Sequence, residues 1–431
     1  MTIKKVIIKK TNDILYTEVL DNGLHIFMIP QNDINTTYVS FTTRYGGMHN
    51  EFIPFGEKKM RKVPEGIAHF LEHKMFEQED GVDPMLFYSQ NGADVNAYTS
   101  LYATSYHFSC SDYLKENLEY LLNFVQAPYF TDENVEKEKG IIEEEIKMYN
   151  DNPYSLLGEG IRANGFKNHP LKHPIAGTID DIRSITKENL YTCYHTFYHP
   201  SNMFVVVSGK FDVKEVLNII KENQSSKEFE KNNTITLKRF KEPDQVVNSY
   251  EEKQMNVEVF KISYGIKMPI KNIKMEPKRR AIYLAIMFES LFGSTSKFKE
   301  EMKEKGYLIS SVSLGTYYTD DHLFVTISAD TEYASELLAA IKETLNNSEV
   351  SEEEFNRKVK VVASDEIYTY EDAEYVNRHI VDNLVIYNKY YPNMDDILNN
   401  LNMDEFNKLR KQLDFNNTTS LVIKPFVNKG V

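Results

Sequence analysis

The second half of this 431-residue chain restates its first half. The acid-rich run Ile179-Asp-Asp-Ile-Arg-Ser-Ile185 leads through Thr186–Leu190 to an apolar stretch, Ser201–Val207. Met394-Asp-Asp-Ile-Leu-Asn-Asn-Leu401 leads in the same way through Asn402–Phe406 to Asn417–Ile423, at an offset of 215 that becomes 216 after one insertion. Thr131–Val135 likewise matches Ser351–Phe355 at an offset of 220. Two copies of one unit, each about 200 residues, is the simplest reading; the alternative is that acid-rich helix starts look alike by chance. The expected fold is therefore α+β: two homologous domains, each an antiparallel or mixed sheet packed with helices. The expected division is 1–220, a polar and charged linker over 221–243, and 244–431.

Local signals support strands and helices in both halves. Asp21-Asn22-Gly23 is a hairpin turn between Leu15–Val19 and Leu24–Ile29. Thr37–Tyr45 reads as a strand ending at Gly46-Gly47. Pro64 opens a helical pattern whose apolar face is Ile67, Phe70, Leu71, Met75 and Phe76. A strand pair follows Asn91-Gly92, over Asp94–Thr99 and Ser105–Ser109. Helices are expected near Tyr113–Gln126 and Thr131–Asn150, the latter stopped by Asp151-Asn-Pro153. Ala281–Phe292 reads as a core helix.

Composition narrows the function classes. The chain is 41% hydrophobic and 12% aromatic, which is globular. A net charge of -14 argues against nucleic acid or an anionic membrane surface as a partner. The two cysteines, Cys110 and Cys193, have no metal or redox spacing, which fits a reducing compartment. The N-terminus lacks a signal-peptide pattern, and no apolar run approaches a membrane span, so a cytoplasmic location is expected.

The chemistry is concentrated in residues 66–77. His69 and His73 are four apart on the expected helix and project from one face, where two imidazoles can share one zinc ion. Glu72 lies beside them and is free to activate water, the inverted form of the usual zinc-protease order. The bland alternative is a helix with two histidines on a solvated face. A hydrolytic zinc needs a third protein ligand. In the helix 131–150, Glu138 and Glu145 are seven apart and nearly in line, with Ile141 and Ile142 on the same side, expected to pack inward. Carboxylates on such a face need partners, and a metal is a good one. Glu145 is assigned as third ligand and Glu138 as the carboxylate that orients a histidine or water. Glu143 and Glu144 read as a solvated acidic face. His107, and the pairs His169/His173 and His195/His199, lack neighbouring carboxylates and read as ordinary loop or core side chains. Pro170 and Pro174 argue against a helix through the first pair. Asp94–Ser100 reads as a sheet edge near the metal, to which an extended peptide could add; Asn96 closing a turn is the open alternative.

His69-Phe-Leu-Glu72-His73, the carboxylates of Glu138-Lys-Gly-Ile-Ile-Glu-Glu-Glu145, Asp94-Val-Asn96-Ala97-Tyr98-Thr99-Ser100 and Tyr198-His-Pro-Ser-Asn202-Met together resemble the inverzincin peptidases of the insulinase/pitrilysin type. The likeness is to the smaller two-domain branch that includes the mitochondrial processing peptidase. It is strong in the first half and weak in the second. Residues 138–153 look most like a Firmicutes-type subgroup encoded beside a second, non-zinc homologue. The resemblance implies one zinc per chain and a peptide held along Asn96, Ala97, Tyr98 and Thr99, with Asn96 and Ala97 lining the scissile bond. It also implies a clam-like chamber of which this chain is one half, limiting substrates to peptides or unfolded segments.

The second half has no histidine where the zinc helix would map, over Ala285–Phe292. In the family this domain contributes an arginine and a tyrosine that hold the substrate carbonyl. Here those places fall to Lys303 and Ile309, with Tyr307 nearby; lysine lacks arginine's fork and isoleucine cannot donate a hydrogen bond. The expected assembly is a heterodimer whose partner, a homologue, supplies the Arg/Tyr pair, with a homodimer as the alternative. The expected activity is that of a zinc metalloendopeptidase. The alternatives are a leader-removing peptide-maturation protease and a non-hydrolytic zinc-binding scaffold.

Overall fold

A computed structural model describes residues 3–230 and 234–426. The repeat is visible in the order of strands. The first sheet runs Lys4–Ile7, Ile14–Val19, His25–Pro30, Met203–Gly209, Thr37–Thr43, Thr104–Cys110, Asp94–Thr99. The second runs Tyr250–Met255, Thr418–Pro425, Phe260–Pro269, His322–Thr331, Ser313–Tyr318. The last five positions of the first sheet match the second one by one. In both, the strand contributed last by the repeat is inserted parallel to one neighbour and antiparallel to the other. This mixed sheet is the α+β unit expected from the sequence, built twice.

The inner strand Thr37–Thr43 is buried along its whole length because it has a strand on each side and helices over its faces. The Asp21–Gly23 turn forms as expected: Gly23 sits at φ 87°, a left-handed conformation that a side chain would strain. Asp94–Thr99 is the outermost strand of its sheet, paired only with Thr104–Cys110. The Ala281–Phe292 run lies in the helix Pro277–Phe292, with Ile282, Tyr283, Ile286 and Met287 buried.

The compact units depart from the sequence division at 220 and 244. One comprises the chain up to Ile146, Pro174–Arg239 and Ser364–Met394; the other comprises Lys147–His173, Phe240–Ala363 and the chain from Asp395 on. Two equivalent helices account for the difference. Pro153–Gly165 belongs to the first repeat but packs on Phe260–Pro269 and Thr418–Pro425 of the second sheet. Gly160 allows the approach, since a Cβ there would lie 2.6 Å from Leu421. Ala373–Tyr387, its counterpart, packs on Met203–Gly209 and Thr37–Thr43 of the first sheet. There the fully buried Asn377 donates to the carbonyls of Tyr38 and Val206 and accepts from the Ser40 hydroxyl.

The linker is also shorter than expected. Val213–Ser225 is one helix that runs past residue 220. At the other end, Glu242 accepts from Nζ of the buried Lys267 at 2.7 Å and from the backbone N–H groups of Lys167, Asn168 and His169. A buried carboxylate with four donors is part of a core rather than of a tether.

Candidate metal centre

Two helices carry the site. The first, Ile67–Met75, starts three residues after Pro64 rather than at it. Gly66 precedes it in a left-handed conformation, φ 79°, with Ala176 O only 2.3 Å from where a Cβ would stand. Ile67, Phe70, Leu71 and Met75 are buried, which fixes the helix's rotation and sends His69 and His73 out together. Their rings lie 4.6 Å apart. The second helix, Asp132–Asp151, is held by the buried Val135, Ile142 and Ile146, and presents Glu138 and Glu145 to the histidines. Ile141 does not pack inward as expected but is half exposed; a helical face only wide enough for one of two adjacent residues takes Ile142.

Nε2 of His69 lies 3.6 Å from one Glu145 oxygen, and Nε2 of His73 lies 3.5 Å from the other. One ligand atom from each residue falls within a 4.8 Å sphere of separation, the only such triad among the described residues. Ligands about 2.0–2.1 Å from a tetrahedral zinc ion stand roughly 3.4 Å from one another, so this donor set and its spacing fit zinc. Glu138 Oε1 lies 3.1 Å from Nδ1 of His73. That contact places the ring proton on Nδ1 and leaves the Nε2 lone pair facing Glu145.

Burial, with the adjacent His73, pulls the His69 pKa down to about 4, so this imidazole is neutral at pH 7. For His73 burial acts downward, but the hydrogen bond and charge of Glu138, with Glu72 and Glu145, outweigh it and raise the pKa. Burial would raise Glu138, yet His73 and Lys74 prevail and hold its carboxyl below the ordinary range. Lys74 has no exposed surface; its ammonium lies 3.8 Å from Glu138 Oε2 and donates to a carboxylate oxygen of Glu77 and to the Asn134 carbonyl. No local pattern signals this role. A lysine between a histidine and a buried methionine reads as solvated until the second helix is seen to cover it.

Glu72 is buried and its pKa is raised, chiefly by burial. The Thr99 hydroxyl donates to its Oε2 at 2.5 Å. Thr99 lies on the edge strand, which packs against the histidine helix. Strand alternation divides the four residues read as substrate-binding. Ala97 and Thr99 share the face of Val95 and Glu72, whereas Asn96 and Tyr98 point the other way. The Tyr98 ring lies 5.9 Å from that of His107 and 6.0 Å from the Arg378 guanidinium. Asn96 does not close a turn: within the strand its Oδ1 accepts from Ala97 N–H at 2.8 Å.

The remaining polar candidates resolve simply. Glu143 is not a free acidic group but pairs with Arg183 through two bonds, at 2.8 and 2.9 Å; Glu144 is exposed. His169 and His173 flank a single 3-10 turn, and His169 Nδ1 caps it. His199 Nδ1 caps the turn at Pro200, His195 stacks on Tyr191, and His107 stacks on Tyr38. In the second unit Lys303 lies on the helix Lys297–Glu304, Ile309 is half exposed, and Tyr307 packs 4.9 Å from the Tyr333 ring.

Comparison with known proteins gives the chain a family. The family described as Insulinase (Peptidase family M16) matches residues 52–179, and the Peptidase M16 inactive domain matches 184–362. An uncharacterized zinc protease, YmfH of Bacillus subtilis, is 40% identical over 345 residues, covering 80% of each chain. The mitochondrial-processing peptidase subunit beta of Caenorhabditis elegans is 29% identical over 162 residues, 37% of this chain and 35% of that one. A crystal structure of an M16-like peptidase from Alicyclobacillus acidocaldarius superimposes with a TM-score of 0.89 at 29% identity, covering 99% of both chains. Both halves of the repeat thus find their counterparts in one family, and the chain belongs to the M16 (insulinase) peptidase family.

Proposed function

We propose that this chain is a zinc metalloendopeptidase that cleaves peptides or unfolded segments, and that it is the catalytic subunit of a heterodimer. The observation that carries the reading is the convergence of His69, His73 and Glu145 beside the buried carboxylate of Glu72. His69, His73 and Glu145 would hold the ion, and Glu138 would keep His73 in its ligating tautomer. Zinc, when bound, acidifies water and polarises a carbonyl. Glu72 takes the proton of the attacking water and returns it to the leaving amine. Its raised pKa suits both halves of that exchange better than an ordinary carboxylate would. The exposed edge Asp94–Thr99 lies against the same helix and offers backbone groups to an extended peptide. Lys303 and Ile309, in place of an Arg/Tyr pair, are the reason for assigning a homologous partner subunit.

Metal content and turnover test the reading together. Purified protein is expected to hold about one zinc per chain, as a three-ligand site does, and His69→Ala or Glu145→Ala is expected to lose it. Glu72→Gln keeps all three ligands; it should retain zinc while turnover of a fluorogenic peptide falls at least about a hundredfold. Full zinc in His69→Ala would sink the ligand assignment. Normal turnover in Glu72→Gln would remove Glu72 as the base. A zinc-loaded chain with no turnover in any assembly would leave the scaffold reading in its place.

A further inference from the structure

Thr99 sits at the end of the edge strand, directly across from Thr104 and just before the tight Ser100–Ala103 turn. That turn is fastened from outside: Gly47 N–H donates to Ser100 O at 2.9 Å and Met48 N–H to Leu101 O at 3.0 Å. Gly46 passes so close that a Cβ would come within 2.5 Å of Ala103 N. The backbone carrying Thr99 is therefore rigid, and its hydroxyl has a fixed origin.

Proton bookkeeping then decides where that hydroxyl points. Thr104 is fully buried and spends its one proton on the Tyr45 carbonyl, at 2.8 Å. Beneath it the buried Tyr198 hydroxyl hydrogen-bonds to Thr104 and lies 2.8 Å from the Tyr106 hydroxyl. Thr104 has no second proton to offer Thr99, which lies 3.3 Å away. Thr99 keeps its own proton for Glu72, whose Oε2 it meets at 2.5 Å. A hydroxyl-to-carboxylate bond is charge-assisted and among the stronger kinds.

We infer that Thr99 is a positioning residue for Glu72: its hydroxyl holds Oε2, setting the carboxylate's rotation so that Oε1 alone is left to exchange a proton with water. This rests on the proposed role of Glu72 and moves Thr99 from the peptide-binding edge to the support of the base. A peptide-binding role would act through KM; a positioning role acts through kcat.

Thr99→Val keeps the shape and the strand preference but removes the hydroxyl, and Thr99→Ser keeps the hydroxyl but removes the methyl. Both are measured in the full chain, in the assembly in which the unsubstituted protein is active. With Thr99→Val, kcat should fall at least about tenfold, on the scale expected from misplacing a catalytic group by a fraction of an ångström. KM and zinc content should stay as in the parent, the thermal midpoint should fall by no more than one lost buried hydrogen bond accounts for, and Thr99→Ser should recover most of the turnover. A crystal structure of metal-free Thr99→Val should show the Glu72 carboxylate rotated or in more than one rotamer. The inference is overturned if kcat is unchanged, if KM alone rises, if the serine variant is as impaired as the valine, if zinc is lost with the hydroxyl, or if Glu72 keeps its single rotamer. An inactive Glu72→Gln beside a fully active Thr99→Val defeats this inference alone. An active Glu72→Gln defeats the reading beneath it.

Discussion

Glu138 is the residue on which the electrostatics of the site turns. It lies between Nδ1 of His73 at 3.1 Å and the buried ammonium of Lys74 at 3.8 Å. His73 first, and then the lysine, hold it ionised, and the ionised carboxylate fixes the ring. Glu138→Gln retains the size and one acceptor oxygen but loses the charge. Zinc should still bind, but about 10–100-fold more weakly, the range seen when a ligand's hydrogen-bonding partner is removed. Chelator competition on the purified chain measures this directly. An unchanged affinity would mean that packing, not Glu138, orients His73. The heptad spacing of Glu138 and Glu145 was legible in the sequence because helical geometry alone places residues seven apart on one face. Lys74 was not legible, since its burial depends on the helix Asp132–Asp151, whose Asn134 lies 60 positions further along the chain.

At the level of elements, the exchanged helices hold the most information. Ala373–Tyr387 carries an amphipathic pattern that any sheet could satisfy, and Asn377 is what matches it to one sheet. Its carboxamide takes two carbonyls and one hydroxyl from the strands Thr37–Thr43 and Met203–Gly209. Asn377→Leu fills the space but leaves these groups buried with fewer partners. At roughly 1–3 kcal/mol for each buried polar group left unpaired, a loss of several kcal/mol in unfolding free energy is expected. Urea denaturation of the variant checks it; a change below the error of extrapolation would show that the helix is held by apolar contact alone. The edge strand illustrates the same divide. Its existence, its length and its place at a sheet edge were read from local sequence and are met, but which strand it pairs with and the order of the rest of the sheet are not encoded in hairpin signals.

For the whole molecule, stability should depend on pH through buried histidines. Burial first, and then Arg378, pull the His107 pKa to about 4. The unfolded chain protonates this ring near its ordinary value of 6.5, and the folded chain only near 4. Between those values the unfolded state binds more protons, so this stability is present above pH 6.5 and is lost as pH falls toward 4. The difference amounts to on the order of 3 kcal/mol at most. In metal-free protein, His107→Phe should flatten the decline across that window relative to the parent, while Glu65, raised to about 7 by burial, acts equally in both. Parallel profiles would remove His107 from the account. Assembly belongs to this scale too. A well-aimed donor to a developing oxyanion is worth about 3–4 kcal/mol. On the proposed reading of Lys303 and Ile309, a homodimer of this chain would lack the Arg/Tyr pair, so peptide turnover by the chain alone should be poor and should rise by orders of magnitude with a homologous partner. Full activity alone, unchanged by titrating the partner and abolished by Tyr307→Phe, would overturn the heterodimer.

The amino-acid order by itself determined the repeat, the α+β class, the two site helices and the His69/His73 and Glu138/Glu145 pairs each presents on one face, because each follows from periodicity, turn chemistry or short spacing along one chain segment. Tertiary structure alone decided which sheet each equivalent helix covers, where the compact units divide, that Lys74 is buried behind Glu138, and that Thr99 reaches Glu72. Those outcomes depend on contacts between segments distant in sequence, where many amphipathic faces are locally interchangeable. Close approach at Gly160, the polar match at Asn377 and the supply of protons around Thr104 choose among them.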